Sequence, residues 1–239
     1  MKKIISPFLG IVMLGLTNCI DPGGDNITSY STVPAIVEEF DIATFQPALF
    51  TSLGKVIAPE LQKALTSELY DGAAVLANFE INADHQPSTE YTIASNVQWI
   101  KIDQVRAYST NGGESMSGTF DVKIERINDV VLVFCEYNTF IFIVFAHEAP
   151  ADQKFIYEMT YDASENTDIV YIRAKNNGQG TKANTTFTCL YAFDITDYLM
   201  ALRQGEKRVT FKLKYKTGEE EGKDVYREYD QPIVLIYEE

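Results

Sequence analysis

The residue types that carry acid–base and metal chemistry are few in this chain of 239 residues. It has two histidines, His85 and His147, which lie beside loop-forming residues in the segments DHQP and HEAP. A histidine-rich metal site needs more such ligands, so the count excludes one. One histidine could still join carboxylates around a metal, but a surface loop histidine is the commoner case. We therefore expect no metal site.

Two further stretches could carry chemistry. The segment Gly113–Gly118 (GESMSG) partly matches the G-x-S-x-G turn of serine hydrolases, but its fifth position is Ser117 and no strand and helix flank it, which favours a linker. The acidic run Glu219–Glu221 with Asp224 lacks the D-x-D-x-D-G alternation of a calcium loop and is typical of a solvated hairpin tip. Carboxylates are numerous, yet one sequence cannot place two of them across a cleft. We predict no enzymatic activity and no cofactor.

Cys19 is the one residue for which the sequence indicates a specific chemical event. Lys2 and Lys3 precede the apolar run Phe8–Leu16, the order of a secretory signal. That run is about half the roughly 20 apolar residues that a membrane-spanning helix needs. The segment Leu16–Cys19 (LTNC) resembles the lipobox of bacterial lipoproteins, in which the cysteine is acylated, for example with palmitate, and becomes the first residue of the mature chain.

Plain secretion is the alternative to a lipid anchor. It requires small residues at the third and first positions before the cut, where this chain has Leu16 and Asn18. Several acyl chains on Cys19 would hold the protein at a membrane, because each buried methylene adds about 0.8 kcal/mol of membrane affinity. We predict a signal peptide at residues 1–18 and a flexible tether at residues 19–31, which are rich in Gly, Asp, Asn and Ser.

The remaining cysteines, Cys135 and Cys189, each lie in an apolar, strand-like run. In an oxidising envelope they could form one disulfide. The alternative is a pair of buried thiols, since cysteine packs like a small apolar residue. The sequence does not show whether their Cα atoms approach within bridging distance, so both alternatives stay open.

The charge of the chain limits its partners. It has 20 basic and 34 acidic residues and a net charge of −14. Loss of the predicted signal peptide also removes Lys2 and Lys3 and makes the net charge more negative. Such an acidic surface repels nucleic acid and anionic lipid headgroups. We therefore expect no nucleic-acid partner.

The apolar residues after the tether alternate with period two, which is typical of β-strands. In the first part we predict strands at residues 33–39, 47–58, 73–82 and 99–108, with helical spacing at 60–69. A glycine inside the second of these strands indicates a sharp bend, and bent strands close a small barrel.

The glycine-rich stretch at residues 109–118 (STNGGESMSG) indicates the boundary between two domains. After it, strands recur about every ten residues, a pattern typical of an antiparallel sandwich. One helix through Arg203 interrupts them, with Asp194 or Thr196 as its cap. The apolar pair VVLVF and FIFIVF predicts a core hairpin, with an exposed partner surface as the alternative. We predict domains at residues 32–111 and 112–239.

In this order, the segments VPAIVE, PALFTSLGKVIAP, YDGAAVLANFEIN, IVYIRAKNNGQG, LYAFDITDYL and VTFKLKYKTG resemble the NigD-like lipoproteins of Bacteroidetes. The most specific pieces are Asp71-Gly72 before a strand, Asn176 to Gly178 after one, and Phe193 to Ile195 before the helix. The resemblance implies an all-β protein, with an N-terminal OB-like small barrel followed by a C-terminal antiparallel β-sandwich. None of these pieces is a catalytic motif, and the family takes its name from a bacteriocin-associated operon.

OB-type barrels bind oligosaccharides, oligonucleotides or proteins on one face and its bordering loops. Trp99 is the only tryptophan, and with Tyr91 and Tyr108 it could form a sugar-stacking platform. A lone tryptophan is, however, more often part of the core.

These observations predict a non-catalytic, lipid-anchored cell-envelope module for binding or assembly, and they do not identify its ligand. A carbohydrate-binding accessory lipoprotein is one alternative. A bacteriocin-associated immunity or export accessory, suggested by the resemblance alone, is another. The expected partners are a membrane, through the lipid, and a glycan or an envelope protein. We expect the outer membrane, with the periplasmic face favoured over the cell surface because no lysine-plus-acidic cluster follows Cys19.

Overall fold

The computed structural model describes residues 26–66, 68–86, 91–116, 119–136, 138–164, 168–203 and 206–236. The predicted signal peptide, Cys19 and most of the predicted tether lie outside these ranges. The described residues form two compact units. The N-terminal unit comprises residues up to 104 together with residues 131–142, and the C-terminal unit comprises residues 105–130 and those from 143 onward.

The N-terminal unit is built on one curled six-stranded sheet. Its strands are β1 (Ile27–Glu38), β2 (Ala48–Thr51), β3 (Gly54–Ile57), β4 (Ala74–Asn82), β5 (Thr92–Ile93) and β6 (Ser95–Lys101). The spatial order is β5-β3-β2-β1-β4-β6, with β1 antiparallel to both β2 and β4. The predicted helical segment is a 3₁₀ helix at Pro59–Thr66, between β3 and β4.

The core of this unit follows from alternation along its strands. Val33, Ala35 and Val37 lie on one side of β1 and are buried, as are Val75 and Ala77 of β4. Small side chains at several of these positions let the strands approach and bend, which a small curled sheet requires. This architecture is OB-like, as the resemblance implied.

The C-terminal unit is a sandwich of two sheets. Its two sheets contain the strands β7 (Gln104–Arg106), β8 (Tyr108–Ser109), β9 (Arg126–Phe134), β10 (Thr139–Pro150), β11 (Phe155–Tyr161), β12 (Ile169–Asn176), β13 (Asn184–Asp194), β14 (Arg208–Glu220), β15 (Lys223–Glu228) and β16 (Ile233–Ile236). Of these strands, Gln104 of β7 and residues 131–142 of β9 and β10 are grouped with the N-terminal unit. One sheet has the order β7-β13-β10-β9. The other has the order β15-β14-β12-β11-β8, with β16 also paired to β14.

Aromatic rings fill the space between these two sheets. Phe145 of β10 stacks on Tyr157 of β11 with ring centroids 4.3 Å apart, and Tyr157 also contacts Tyr191 of β13 at 5.0 Å. Each such ring buries a large apolar area. The predicted fold class, an all-β chain with an OB-like barrel and a β-sandwich, is confirmed.

The helix α1 (Thr196–Arg203) begins as its sequence predicts. Asp194 accepts hydrogen bonds from the backbone N–H of Thr196 at 2.9 Å and from its hydroxyl at 2.5 Å. A carboxylate at this place satisfies backbone donors that have no partner within the helix.

The apolar hairpin of β9 and β10 was predicted in the sandwich core, but its residues 131–142 are grouped with the N-terminal unit. Val133, Phe140, Phe142 and Phe145 are all buried. The alternative of an exposed partner surface is therefore wrong for this hairpin. No helix among the described residues has the length and apolarity to cross a membrane.

Candidate functional site

Neither Cys135 nor Cys189 is part of a disulfide in the structure. The two cysteines belong to different units. The thiol of Cys189 is hydrogen-bonded to the Tyr157 hydroxyl, and burial raises the pKa of that thiol. A protonated thiol is a weak nucleophile, which indicates that Cys189 has a packing role.

His147 is buried in the sandwich, so the prediction of a surface loop is wrong for this residue. Its Nε2 lies 2.7 Å from the Tyr157 hydroxyl, its Nδ1 lies 3.2 Å from the Lys123 carbonyl, and its ring stacks on Phe155 at 4.0 Å. Burial lowers the pKa of His147 to about 4. The neutral ring therefore acts as a hydrogen-bonded core residue.

His85 is exposed at the end of a short 3₁₀ helix, Ala83–His85, as expected for a surface loop histidine. Within the residues that the structure describes, no group of three or more His, Cys, Asp or Glu side chains could hold a metal ion.

The three aromatic residues considered for sugar stacking lie in different surroundings. Trp99 of β6 is partly buried and packs against the barrel core. Tyr91 is partly exposed in the same unit, whereas Tyr108 lies on β8, which pairs with β11 of the C-terminal unit. The structure thus places Trp99 in the packing position that is commoner for a lone tryptophan.

A buried charged cluster in the sandwich has no counterpart in the predictions. Arg173 of β12 donates to the Thr160 hydroxyl at 2.8 Å and to the Gly113 carbonyl at 2.7 Å, and it pairs with the buried Glu158 at 3.6 Å. Gly113 belongs to the segment predicted as a linker. Its hydrogen bond with Arg173 attaches that segment to the sheet. In the sequence, the signal for this cluster is a charged residue at an inward-facing position of a strand, Arg173 in YIRAK.

Among the residues that the structure describes, a shallow groove on the N-terminal unit is a candidate binding site. Its volume is about 570 Å³. Segments of β1, β4 and β6 and one residue of the 3₁₀ helix line it: Ser29, Tyr30, Ser31, Glu60, Asn78, Phe79, Glu80, Asn96, Val97 and Gln98. The three strands are neighbours in the sheet, so the groove crosses one continuous surface.

Two strand irregularities shape the groove. The register between β1 and β4 shifts between Tyr30 and Val33, and the register between β4 and β6 shifts between Asn78 and Glu80. Bulges of this kind bend a strand and redirect its side chains, and they are common beside binding sites. In both shifts the extra residue belongs to the strand beside β4, which is β1 in the first case and β6 in the second.

Two residues at the groove have left-handed backbone conformations although neither is glycine. Thr32 has φ 54°, and its N–H donates to Asn78 Oδ1 at 2.6 Å. Asn96 also has φ 54°, and its N–H donates to Glu60 at 3.0 Å. A β-branched threonine is rare in this region of φ, and such strain is concentrated at functional sites.

Hydrogen bonds hold the groove wall in one arrangement. The Glu60 carboxylate accepts from the backbone N–H groups of Asn96 and Val97, and Asn96 Nδ2 donates to Glu80 at 2.6 Å. Tyr30 stacks on the buried Phe79 with centroids 5.1 Å apart and remains partly exposed. The groove therefore presents amides, hydroxyls, carboxylate oxygens and one supported aromatic ring.

The comparisons with known proteins bear on the fold. No protein-family model matches the chain, and no curated protein matches it. Among solved structures, an uncharacterised protein from Parabacteroides merdae is similar with a TM-score of 0.71 and 16% identity, over 87% of this chain and 98% of that chain.

Two further structures come from the same bacterial group. A protein described as a candidate lipoprotein from Bacteroides fragilis has a TM-score of 0.50 and 12% identity, over 84% of this chain and 96% of that chain. A NigD-like immunity protein from Bacteroides caccae has a TM-score of 0.49 and 13% identity, over 83% and 93%. At these identities the likeness to the Parabacteroides merdae and Bacteroides fragilis proteins shows the fold alone.

Proposed function

We propose that this protein is a non-catalytic, lipid-anchored envelope module that binds a neutral oligosaccharide in the groove of its N-terminal unit. The observation that carries the proposal is the composition of the groove: amides at Asn78, Asn96 and Gln98, carboxylates at Glu60 and Glu80, and an aromatic ring.

These groups suit a polyhydroxylated ligand. Sugar hydroxyls both donate and accept hydrogen bonds, so they pair with amides and with carboxylate oxygens. The apolar face of a sugar ring can pack on Tyr30, whose orientation Phe79 supports. None of the lining residues is Lys or Arg, so the groove offers no positive charge to a phosphate or sulfate group. A neutral glycan is favoured over an anionic one for this reason.

The absence of catalysis is part of the same proposal. A glycosidase needs two carboxyl groups available to the bond that is cleaved. In this groove Glu60 is engaged with two backbone N–H groups and Glu80 with the Asn96 amide. Both carboxylates therefore support the wall of the groove, which favours binding over hydrolysis.

A glycan array followed by titration calorimetry tests the proposal. The change is Gln98→Ala, at an exposed residue of β6. We expect the mature chain to bind a neutral glycan and the variant to bind it about tenfold more weakly, since one or two hydrogen bonds are lost.

Asn184→Ala is the matched control, because it removes an exposed amide from β13 in the C-terminal unit and should leave binding unchanged. Failure of the chain to bind any neutral glycan, or equal binding by the Gln98 variant, would overturn the proposed ligand.

The anchor is proposed on the motif at Cys19. Metabolic labelling with an alkyne fatty acid should label the wild-type chain in cells, and Cys19→Ala should abolish both the label and recovery in the membrane fraction. We infer a periplasmic orientation at the outer membrane. Protease added to intact cells should leave the chain uncut, whereas rapid cleavage would assign it to the cell surface.

A further inference from the structure

The loop between β1 and β2 exposes three large apolar side chains. Phe40, Ile42 and Phe45 are 53%, 75% and 70% exposed. The rings of Phe40 and Phe45 meet edge to face with centroids 5.5 Å apart. We call residues 39–47 the aromatic loop. Single exposed apolar residues are ordinary, but a group on one short loop is typical of an interaction surface.

The aromatic loop is held in one conformation. The Asp41 N–H donates to the Gln46 carbonyl at 2.9 Å, and the Phe45 N–H donates to the Asp41 carbonyl at 2.8 Å. The Asp41 carboxylate accepts from both the N–H and the hydroxyl of Thr44, and it pairs with Lys55. A loop ordered before binding loses little conformational entropy when it binds.

Phe45 has a strained backbone conformation, and the packing of its side chain does not offset the energetic cost. Its φ is 57°, in the left-handed region, where a bulky aromatic residue is a true outlier and costs of order 1–3 kcal/mol. Its ring is mostly exposed, so packing within the described residues offsets little of that cost. An aromatic side chain at this position is therefore better explained by contact with another molecule.

The surroundings of the aromatic loop are acidic. Glu38, Glu39 and Asp41 lie within or beside it, and Asp71 accepts from the Glu39 N–H at 3.0 Å. One cation, Lys55, is shared between Glu38 and Asp41. A second copy of this chain would bring like charges together, and an anionic lipid surface would be repelled. The complementary partner carries positive charge.

The loop also lies at the far end of β1 from the anchor. The chain enters β1 at Ile27 and leaves it at Glu38, a strand of 12 residues. If Cys19 carries lipid, as proposed above, the residues between it and Asn26 span at most about 25 Å. The aromatic loop therefore follows the end of β1 that is remote from the tether.

We propose that the aromatic loop is a docking surface for a protein partner whose face has an apolar pocket edged by lysine or arginine side chains. Phe40, Ile42 and Phe45 fill the pocket, and Glu39 with its acidic neighbours pairs with the basic edge. In such interfaces a few buried aromatic anchors carry most of the binding energy, and opposite charges speed association.

Photo-crosslinking in cells of the source bacterium tests this surface. Benzoylphenylalanine is placed at position 42 of the full chain, and the cross-linked peptide of the partner is identified by mass spectrometry. We expect one major protein partner, with lysine or arginine close to the cross-linked apolar residue. The analogue at position 100 is the matched control, because Ile100 is 67% exposed on β6 of the same unit and should not capture that partner.

Two further changes separate docking from folding. Phe45→Asn should lower the cross-link yield at least fivefold while the melting temperature stays unchanged or rises, since asparagine tolerates a left-handed φ. Glu39→Lys, at an exposed side chain, should lower the yield and weaken its dependence on salt. The proposal is overturned by a cross-link to lipid, to a second copy or to no protein, or by a yield that neither change lowers. Glycan binding in the groove is measured in a separate experiment. The docking proposal and the glycan proposal can therefore fail independently of each other.

Discussion

At the scale of single residues, polar side chains in the sandwich serve packing more than chemistry. Cys189, Tyr157 and His147 are linked by hydrogen bonds across three strands, which would suggest a nucleophile and its base. Burial reverses that interpretation, because it raises the pKa of the thiol and lowers that of the imidazole. Both groups are therefore neutral near pH 7 and stabilise the core.

His147 should make folding stability depend on pH. Its pKa is about 4 in the folded chain and near 6.5 when unfolded, so protons bind the unfolded chain preferentially between these values. The contribution of the neutral His147 ring to the free energy of unfolding is fully present above pH 6.5 and is lost as the pH falls toward 4. We expect a loss of about 2 kcal/mol between pH 7 and pH 5 from this residue. Urea denaturation at both pH values measures it.

His147→Gln is the comparison for that measurement. The variant should be less stable at pH 7 and should show a smaller loss on going to pH 5, because the titrating group is gone. An identical pH dependence of the two proteins would show that His147 is not buried as a neutral ring.

The position of His147 also shows a limit of sequence analysis at this scale. The segment HEAP is typical of a loop, yet β10 continues to Pro150, and the inward side of that strand is what buries the ring. How far a strand extends depends on the partner strands beside it, and these are distant in the sequence.

At the scale of elements, the segment from Gly112 to Met116 is part of the sandwich. Arg173 and Glu158 both bond to it, the latter accepting from the Met116 N–H at 3.0 Å. Its glycines and polar residues predicted a linker, because composition reports local flexibility and cannot report a buried arginine contributed by a strand 60 residues away.

Gly113 and Gly112 give a matched pair for testing that attachment. A Cβ atom at Gly113 would lie 2.3 Å from the Tyr171 ring, whereas one at Gly112 would meet nothing within 4 Å, and both residues have positive φ. Gly113→Ala should cost about 2–4 kcal/mol and Gly112→Ala about 1 kcal/mol. Equal losses in urea denaturation would show that the segment does not pack on the sheet.

Trp99 and Gln98 test the two roles assigned to β6. Trp99→Ala should lower the free energy of unfolding by about 2 kcal/mol, because it removes a ring packed against the barrel core. Gln98→Ala should change it by less than about 0.5 kcal/mol. Thermal unfolding measures both. A stable Trp99 variant that had lost glycan binding would instead favour the stacking platform considered from sequence.

At the scale of the whole molecule, the all-β class and the strand periodicity were predictable because alternation reports burial directly. The groove was not, since it depends on β1, β4 and β6 becoming neighbours and on register shifts at Tyr30 and Asn78. The grouping of residues 131–142 with the N-terminal unit likewise depends on tertiary packing. The aromatic loop was visible as FDIATF, but only the structure shows that its apolar side chains are exposed.

Nuclear magnetic resonance of the mature, isotope-labelled chain tests whether the groove binds a neutral glycan, as we propose. Titration with a glycan selected on the array should shift backbone amides at residues 29–31, 78–80 and 96–98, which line the groove. The same titration should leave amides of the C-terminal unit unchanged. Shifts confined to the C-terminal unit, or no shifts at saturating glycan, would show that the groove does not bind the glycan.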